Sequence, residues 1–271
     1  MPRLLSRADV EHYQRSGYVS PVFAFDAVTA QQYRAQLAHG EKHHGLAPDQ
    51  RRKMYLYLKW ADEVVHHPAI LDAVEDLIGP NILAFHMTLW IKEPRTDAFI
   101  SWHQDSTYFG LTPAEHVTAW VALSPSNVDS GCVQVVPGSH LTGQVRHGLD
   151  QDKNNLLPGQ QINVPADRTI DTMPLDPGQF SLHHTHLWHN SMANQSNDRR
   201  IGLGISYIPA HCKCSSETRL TTTLVRGVDR FHHFDHDLRP TADFDPAAVS
   251  VHAEAMRRWH AARAKLIPQA H

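Results

Sequence analysis

The chain has 271 residues, of which 41% are hydrophobic and 20% are charged, and this balance excludes a disordered or fibrous protein. Its formal net charge of −3 gives no electrostatic reason to expect binding to nucleic acid or to an anionic membrane. No apolar run approaches the roughly 18 residues of a membrane-spanning helix, and we expect no signal peptide. Three cysteines cannot form a disulfide framework in a chain of this length, which predicts reduced thiols and a cytoplasmic location.

The N-terminal third is predicted to be helical. Residues 6–9 have the spacing of a capping box, and the helix that they open is expected to end near Gly17. A second helix is expected over about 27–39. A third is expected over about 68–78, where apolar residues recur at helical spacing before a Gly-Pro stop.

From residue 82 onwards the pattern changes to short β-rich runs separated by turn-forming residues. These runs occupy residues 82–91, 117–123, 132–136, 178–184 and 201–208. Many short strands predict a sandwich or barrel. We therefore expect one α+β domain, dominated by strands, over residues 1–271. It has a helical part at about 1–80, a β core at about 82–210, and a C-terminal lid and helix at about 211–271.

The first candidate for chemistry is the segment Trp102-His103-Gln104-Asp105. Side chains alternate between the two faces of a strand, so His103 and Asp105 are predicted to point the same way. An imidazole and a carboxylate on one face can occupy two neighbouring positions around a metal ion. With one further histidine they would form the two-histidine, one-carboxylate triad that binds Fe(II) and leaves three coordination positions open.

The second candidate runs from His189 to Arg200, and the residues between them, 190–198, are rich in turn formers. The segment is predicted to be a hairpin loop that places a metal ligand and a guanidinium near each other on adjacent strands. A guanidinium can bind both oxygens of a carboxylate, which predicts a pocket for a small dicarboxylate. Small residues on the same strand face as Arg200 would leave room for it: Gly202, Gly204 and Ser206.

Several of these assignments have alternatives. His183, His184 and His186 compete with His189 as the third ligand, although core or rim positions are the simpler interpretation for His183 and His186. Tyr108, Phe109, Asn163 and Trp188 are candidates for a substrate pocket or for ordinary core positions. A basic lid over the site is a further candidate, although surface positions are the commoner outcome for its three arginines: Arg219, Arg226 and Arg230.

In four ordered motifs the sequence resembles the phytanoyl-CoA dioxygenase family of Fe(II)- and 2-oxoglutarate-dependent oxygenases. The motifs are His103-Gln104-Asp105, the strand that contains Trp120, the segment GCVQVVPGSH at 131–140, and the run from His189 through Ser191, Asn194 and Ser196 to Arg200. The resemblance implies a double-stranded β-helix core of the jelly-roll or cupin type with flanking helices. It also implies iron bound by His103, Asp105 and His189, with Arg200 binding the far carboxylate of 2-oxoglutarate.

The family pattern implies five further residues near the cosubstrate: Ser191, Trp120, Gln104, Thr88 and Lys53. The expected reaction is hydroxylation of a small molecule or metabolic intermediate with O2, releasing succinate and CO2. Because Asp105 occupies the position at which halogenating relatives carry a small residue, hydroxylation is favoured over halogenation. Two alternatives remain: a cupin-like metal-dependent isomerase or hydrolase that does not use 2-oxoglutarate, and a non-catalytic β-sandwich binding protein. The sequence does not determine the substrate or the oligomeric state.

Overall fold

The computed structural model describes residues 2–148, 150, 152–157 and 161–266. Its helices are α1 (Arg7–Ser16), α2 (Ala27–His44), α3 (Lys59–Val65), α4 (Pro68–Ile78), α5 (Ser106–Phe109) and α6 (Pro246–Leu266), with 3-10 turns at Pro48–Arg51, Met54–Leu56 and Ser139–Thr142. None of the helices in the described part combines the length and the apolar character that crossing a bilayer requires.

The N-terminal helices agree largely with the prediction. The capping box at Ser6 is present, and α1 is capped by Gly17 in the left-handed conformation. Helix α2 continues five residues past the predicted end, because Gly40 stays within it, buried beneath the Phe244 ring, and the left-handed cap comes at Gly45. Helix α3 was not predicted, since its seven residues are too few to display a helical period.

The strands form two main sheets. The larger has seven strands in the order β1-β8-β5-β10-β2-β12-β13, and the smaller has four in the order β3-β9-β6-β7, while β4 and β11 form a separate pair. The strands are β1 (Tyr18–Phe23), β2 (Ile82–Lys92), β3 (Ile100–His103), β4 (Leu111–Thr112), β5 (Val117–Ala122), β6 (Val133–Val135), β7 (Asp171–Met173), β8 (Gln179–His184), β9 (His189–Ser191), β10 (Arg200–Pro209), β11 (Lys213–Cys214), β12 (Thr221–Arg226) and β13 (Asp235–His236).

The larger sheet has a different core on each face. The main hydrophobic cluster joins one face to the N-terminal helices, for example through Leu37, Val74 and Leu203. A smaller cluster, which includes Trp120 and Val133, joins the other face to the four-stranded sheet. The strands therefore form a sandwich that is covered on one side by helices. The β structure also extends beyond the predicted limits, because β1 and β12 both pair into the larger sheet.

The predicted hairpin between His189 and Arg200 is wrong. His189 begins β9 in the four-stranded sheet, whereas Arg200 begins β10 in the seven-stranded sheet, so the intervening residues cross from one sheet to the other. Asn194 fixes this crossing, since its buried side-chain amide donates hydrogen bonds to the backbone oxygens of Lys92, Glu93 and Asp198. Turn-forming residues predict a reversal of the chain, but they do not reveal which sheet receives it.

The turn before β8 gives a first testable prediction. Gly178 has φ +89°, and a Cβ atom there would lie 1.9 Å from the backbone oxygen of Phe25. Gly178→Ala should therefore lower the free energy of unfolding by roughly 2 to 4 kcal/mol, because strain in the left-handed region adds to a backbone clash. Gly45→Ala is the matched control: Gly45 has φ +63° but has open space around it, so about 1 kcal/mol is expected. Equal losses in urea unfolding would contradict the proposed clash.

Candidate metal centre and adjoining cavities

The structure brings His103, Asp105 and His189 together. One potential ligand atom from each residue lies within 4.8 Å of the others. His103 and His189 are direct partners in the antiparallel pair β3–β9, and their rings lie 4.0 Å apart between centroids. Each Nε2 lies 3.6 Å from Oδ1 of Asp105. This separation is slightly wider than the roughly 3 Å expected between neighbouring ligands of one ion, so a small inward movement would complete the geometry.

The backbone differs from the prediction at Asp105. Strand β3 ends at His103, and Asp105 has right-handed helical angles, φ −62° and ψ −36°, at the start of the short helix α5. Strand alternation is therefore not what places the two side chains together. They converge because the chain turns sharply between them.

Hydrogen bonds orient both imidazoles towards the cluster. Nδ1 of His103 lies 2.8 Å from the carbonyl oxygen of Ser101, and Nδ1 of His189 lies 2.9 Å from that of Leu187. A carbonyl can only accept, so each Nδ1 carries the proton and each Nε2 presents a lone pair to the cluster. Such hydrogen bonds behind the ring are the usual arrangement for metal-binding histidines. Burial also lowers the pKa of His189 far below its usual value, which favours the neutral, metal-binding form.

Asp105 is held as a carboxylate by its surroundings. Its Oδ2 accepts a 2.6 Å hydrogen bond from the Thr118 hydroxyl. Nε2 of His183 lies 3.4 Å from the same oxygen, and Nε2 of His116 lies 3.9 Å away. Burial opposes ionisation, but the polar groups around the carboxylate outweigh it and keep the pKa of Asp105 well below its usual range. The carboxylate is therefore available as an anionic ligand.

The competing histidines separate into two groups. His183 lies beside the candidate triad, where it faces the opposite oxygen of Asp105 from His189. His184 and His186 lie apart from it: His184 is within ring contact of both His140 and His186. His189 stays the predicted third ligand, since it offers a ligand atom within 4.8 Å of those of His103 and Asp105.

Arg200 lies in a narrow cavity, about 50 Å³ in volume, that is also lined by the three candidate ligands. Its side chain is 1% exposed, and none of its three guanidinium nitrogens has a hydrogen-bond partner among the described residues. Its Cζ lies 4.2 Å from the centroid of the Trp120 ring. Burial lowers the pKa of Arg200 to about 9, which leaves the group cationic at neutral pH. A buried cation with unused donors is an observation that calls for an anionic ligand.

Glycines explain how Trp120 reaches Arg200. A Cβ atom at Gly202 would lie 2.0 Å from the Trp120 ring, so the tryptophan occupies the space that a side chain at 202 would need. The sequence predicts that the small residues on this strand leave room for a ligand. At Gly202 this is wrong, because the Trp120 ring fills the space. Trp120 and Ser191 both line the narrow cavity, where the family pattern implies them.

A second buried basic residue, Lys92, was missed in the sequence. It is the β2 residue directly opposite Arg200, and its Nζ lies 2.7 Å from the Ser191 hydroxyl and within hydrogen-bond distance of the Ser191 and Met192 carbonyl oxygens. Burial and then the charge of Arg200 lower its pKa to about 6. The sequence does contain an indication of this position. Lys92 lies four residues after Thr88 in the same strand, so both side chains point to the same face, and the sequence predicts that Thr88 faces the site.

Three predicted cosubstrate residues occupy different positions. The Gln104 side chain is fully buried, donates to the carbonyl oxygens of Gly143 and His186, and accepts from the amide of Val145. It therefore holds a loop in place and is absent from the lining of the narrow cavity. Lys53 likewise donates elsewhere, to the backbone oxygen of Thr221 at 2.6 Å. Thr88 lines a larger neighbouring cavity, not the narrow one around Arg200.

That larger cavity has a volume of about 340 Å³ and also reaches His103 and Asp105. Tyr108 and Phe109 line it, as one of the two interpretations anticipates. Trp188 packs in a separate cluster with Val136 and Ile162 instead. Asn163 is exposed.

The predicted basic lid is not supported, because two of its arginines are held in ion pairs elsewhere. Arg219 contacts Asp235, and Arg226 contacts Asp72 and Glu75. The lining of the larger cavity includes neither of them, nor Arg230.

Comparisons with known proteins place this site in a family. Residues 3–202 match the phytanoyl-CoA dioxygenase (PhyH) family. A probable phytanoyl-CoA dioxygenase of Caenorhabditis elegans is 30% identical over 155 residues, which cover 54% of this chain and 49% of the relative. A 1-deoxypentalenic acid 11-beta-hydroxylase of Streptomyces arenae is 27% identical over 171 residues, 59% of this chain and 56% of that protein. The chain thus spans about half the length of the curated relatives that it matches.

Structural alignments with solved structures of other proteins cover almost the whole chain. The non-heme monooxygenase ThoJ in its apo form is 32% identical over 96% of this chain and 99% of its own, with a TM-score of 0.86. CytC3 with Fe(II) and alpha-ketoglutarate has the same fold, with a TM-score of 0.67 at 21% identity over 91% of this chain and 98% of its own. The predicted class, a β-dominated α+β fold with a double-stranded β-helix core and flanking helices, is thereby confirmed. This chain belongs to the phytanoyl-CoA dioxygenase family.

The buried lysine gives a prediction about stability. Lys92 has a pKa of about 6 in the folded protein and an ordinary value of about 10.4 when unfolded, so the unfolded chain binds more protons between these limits. The contribution of Lys92 to stability should therefore increase as the pH rises from about 6 to about 10. Relative to Lys92→Met, the wild-type protein should gain up to about 1.4 kcal/mol of unfolding free energy per pH unit in this window.

Urea unfolding at a series of pH values measures this difference. Lys213→Met is the control, because Lys213 is exposed and hydrated in both states. The difference between Lys92→Met and wild type should depend on pH more steeply than the difference for this control. Equal pH dependence of the two differences would contradict a lysine that is largely neutral in the folded protein.

Proposed function

We propose that the protein is an Fe(II)- and 2-oxoglutarate-dependent dioxygenase that hydroxylates an unactivated C–H bond of a small molecule, releasing succinate and CO2. One observation carries the proposal. The guanidinium of Arg200, which has no hydrogen-bond partner in the described part of the chain, lines the same narrow cavity as three potential metal ligands. A dicarboxylate bound to a metal at one end and to Arg200 at the other fits both halves of that cavity.

The residues fit the cofactor by their chemistry. Two neutral imidazoles and one carboxylate, from His103, His189 and Asp105, would hold Fe(II) and leave coordination positions open. Arg200 would bind the far carboxylate of 2-oxoglutarate through paired hydrogen bonds. When bound, the iron together with 2-oxoglutarate and O2 supplies the oxidising power for hydroxylation.

The protein itself contributes orientation and charge. The carbonyl oxygens behind His103 and His189 fix both rings, and the Thr118 hydroxyl fixes one oxygen of Asp105. The burial of Arg200 against Trp120 removes water that would compete for the guanidinium. The cosubstrate's arrival would also give the adjoining Lys92 an anionic neighbour, which favours its charged form.

Hydroxylation is favoured over halogenation because Asp105 supplies the carboxylate ligand. An isomerase or hydrolase that does without 2-oxoglutarate leaves the buried guanidinium unexplained. A non-catalytic sandwich leaves unexplained why three ligand-type side chains converge. The relatives are named a probable phytanoyl-CoA dioxygenase, a probable alpha-ketoglutarate-dependent hypophosphite dioxygenase and a 1-deoxypentalenic acid 11-beta-hydroxylase, so their names do not select a substrate for this chain.

Other parts of the assignment stay predictions. We infer one oxygenase domain over residues 1–271, a cytoplasmic location and a small-molecule partner. The main hydrophobic cluster supports the first of these, because it joins the N-terminal helices to the central strands β2 and β10.

Asp105→Ala tests the metal centre. Anaerobic addition of Fe(II) and 2-oxoglutarate to the wild-type protein should produce a weak visible charge-transfer band. The variant should lose this band, and substrate-stimulated succinate formation should fall by roughly 10³-fold or more, because the only anionic ligand is gone. Asp150→Ala, at a carboxylate outside the cluster, is the control. A wild-type protein with no band, or a variant with normal turnover, would refute the assignment.

Arg200→Ala tests the cosubstrate site. Loss of a paired, charge-assisted contact should raise the KM for 2-oxoglutarate by roughly 10- to 100-fold, while Fe(II) binding changes little. Arg199→Ala is the matched control, since this neighbouring arginine pairs with Glu41 and Glu93 on the outside of the protein. An unchanged 2-oxoglutarate dependence in Arg200→Ala would rule out its role.

A further inference from the structure

The larger cavity has apolar walls and an opening towards the metal centre. Its volume of about 340 Å³ is in the range of small-molecule sites, and it reaches His103 and Asp105. Aromatic and aliphatic side chains form most of its surface, among them Tyr108, Phe109 and Trp259. A ligand here would have an apolar body beside the candidate triad.

Three arginines interrupt this apolar surface. Arg51 and Arg52 come from the end of the 3-10 turn Pro48–Arg51, and Arg263 comes from α6, far away in sequence. Asp105 is the one acidic residue among the described lining residues, and the proposed function commits it to the metal. The cavity therefore carries an excess of positive charge away from the triad.

Arg263 has no counter-ion among the described residues, and it forms no hydrogen bond with any of them. Its Cζ lies 5.2 Å from the centroid of the Tyr108 ring. Burial, and then the charge of Arg52, lower its pKa below the usual value. Arg52, by contrast, is paired with Asp49 at 2.8 Å. Nε of Arg51 is also buried, and no described residue forms a hydrogen bond with it.

Tyr108 relates Arg263 to the metal centre. Its ring lies 6.1 Å from that of His103 on one side and 5.2 Å from the Arg263 guanidinium on the other. The guanidinium is thus two ring contacts away from a candidate metal ligand. A small molecule can span this distance with an anionic group at one end and a C–H bond near the metal at the other.

We propose that the larger cavity binds a small carboxylic acid with an apolar body, and that the guanidinium of Arg263 binds its carboxylate through charge-assisted hydrogen bonds. Arg51 assists from the opposite element, and Tyr108 separates the carboxylate from the metal centre. The substrate class that follows is an apolar carboxylate, oxidised at a carbon remote from the acid group. This statement about oxidation rests on the proposed function; the statement about binding does not.

Calorimetric titration of the protein without iron or 2-oxoglutarate tests the binding. The probes are three acids, each with its neutral primary amide: 4-phenylbutanoic, indole-3-butanoic and octanoic acid. At least one acid should bind about tenfold more tightly than its amide, as expected for a charge-assisted contact. Arg263→Gln should abolish that preference by weakening the acid and leaving the amide unchanged.

Three further variants separate the possible sites. Arg257→Gln is the control on the same helix, because Arg257 is exposed and paired with Glu254, and it should bind like wild type. Arg200→Ala should retain the preference for the acid, whereas an acid bound at the 2-oxoglutarate site would lose it. Arg51→Gln should weaken the acid in part, and it serves as a second test if Arg263→Gln does not fold.

Two results would overturn the inference. One is the absence of any acid preference across all three pairs, including the case in which nothing binds. The other is a preference that survives Arg263→Gln and Arg51→Gln but is lost in Arg200→Ala. The calorimetric titration contains no iron, so its result does not depend on the metal centre. If the separate anaerobic experiment with Fe(II) and 2-oxoglutarate gave no charge-transfer band, the proposed function would be refuted, but acid binding in the larger cavity would still stand.

Discussion

The site depends on a guanidinium that the fold buries without giving it a partner. Removing a cation from water is costly unless another group replaces its hydration, and Arg200 is 1% exposed with all three of its nitrogens unpaired among the described residues. The Trp120 ring offsets part of this cost, and Gly202 is what admits that ring. Until an anion binds, the favourable packing of the two sheets must offset the remaining free energy of burying the cation. The pocket is therefore preorganised for an anion, and the free energy of unfolding is lower as a result.

The sequence predicted the chemistry of the site better than its backbone. His103, Asp105, His189 and Arg200 were placed together by residue type and motif order, and the structure brings all four to one cavity. The backbone geometry behind this prediction holds only in part. Strand alternation does not hold at Asp105, where the chain enters a helical turn, and the loop before Arg200 is a crossing between sheets. A metal and a dicarboxylate require particular side chains, which a sequence reveals. Different backbone conformations can present the same side chains, so the sequence does not reveal the path of the chain.

The residues that the sequence missed come from distant parts of the chain. Lys92 is detectable by alternation from Thr88, but nothing local indicates that it lies opposite Arg200, because that requires the register between β2 and β10. Arg263 contacts Tyr108 only through the packing of α6, which a single sequence does not reveal. The helices were easier to predict, since caps such as Ser6 and Gly17 are local signals.

The crossing between the two sheets has a consequence for the choice of the proposed cosubstrate. His189 is anchored in one layer and Arg200 in the other, while Asn194 ties the connecting residues to the end of β2. The spacing of the two sheets therefore fixes the distance between the candidate metal ligands and the guanidinium of Arg200. A diacid one carbon shorter or longer would be mismatched by about the length of one C–C bond, and the rigid sandwich could not adjust its thickness to recover the contact.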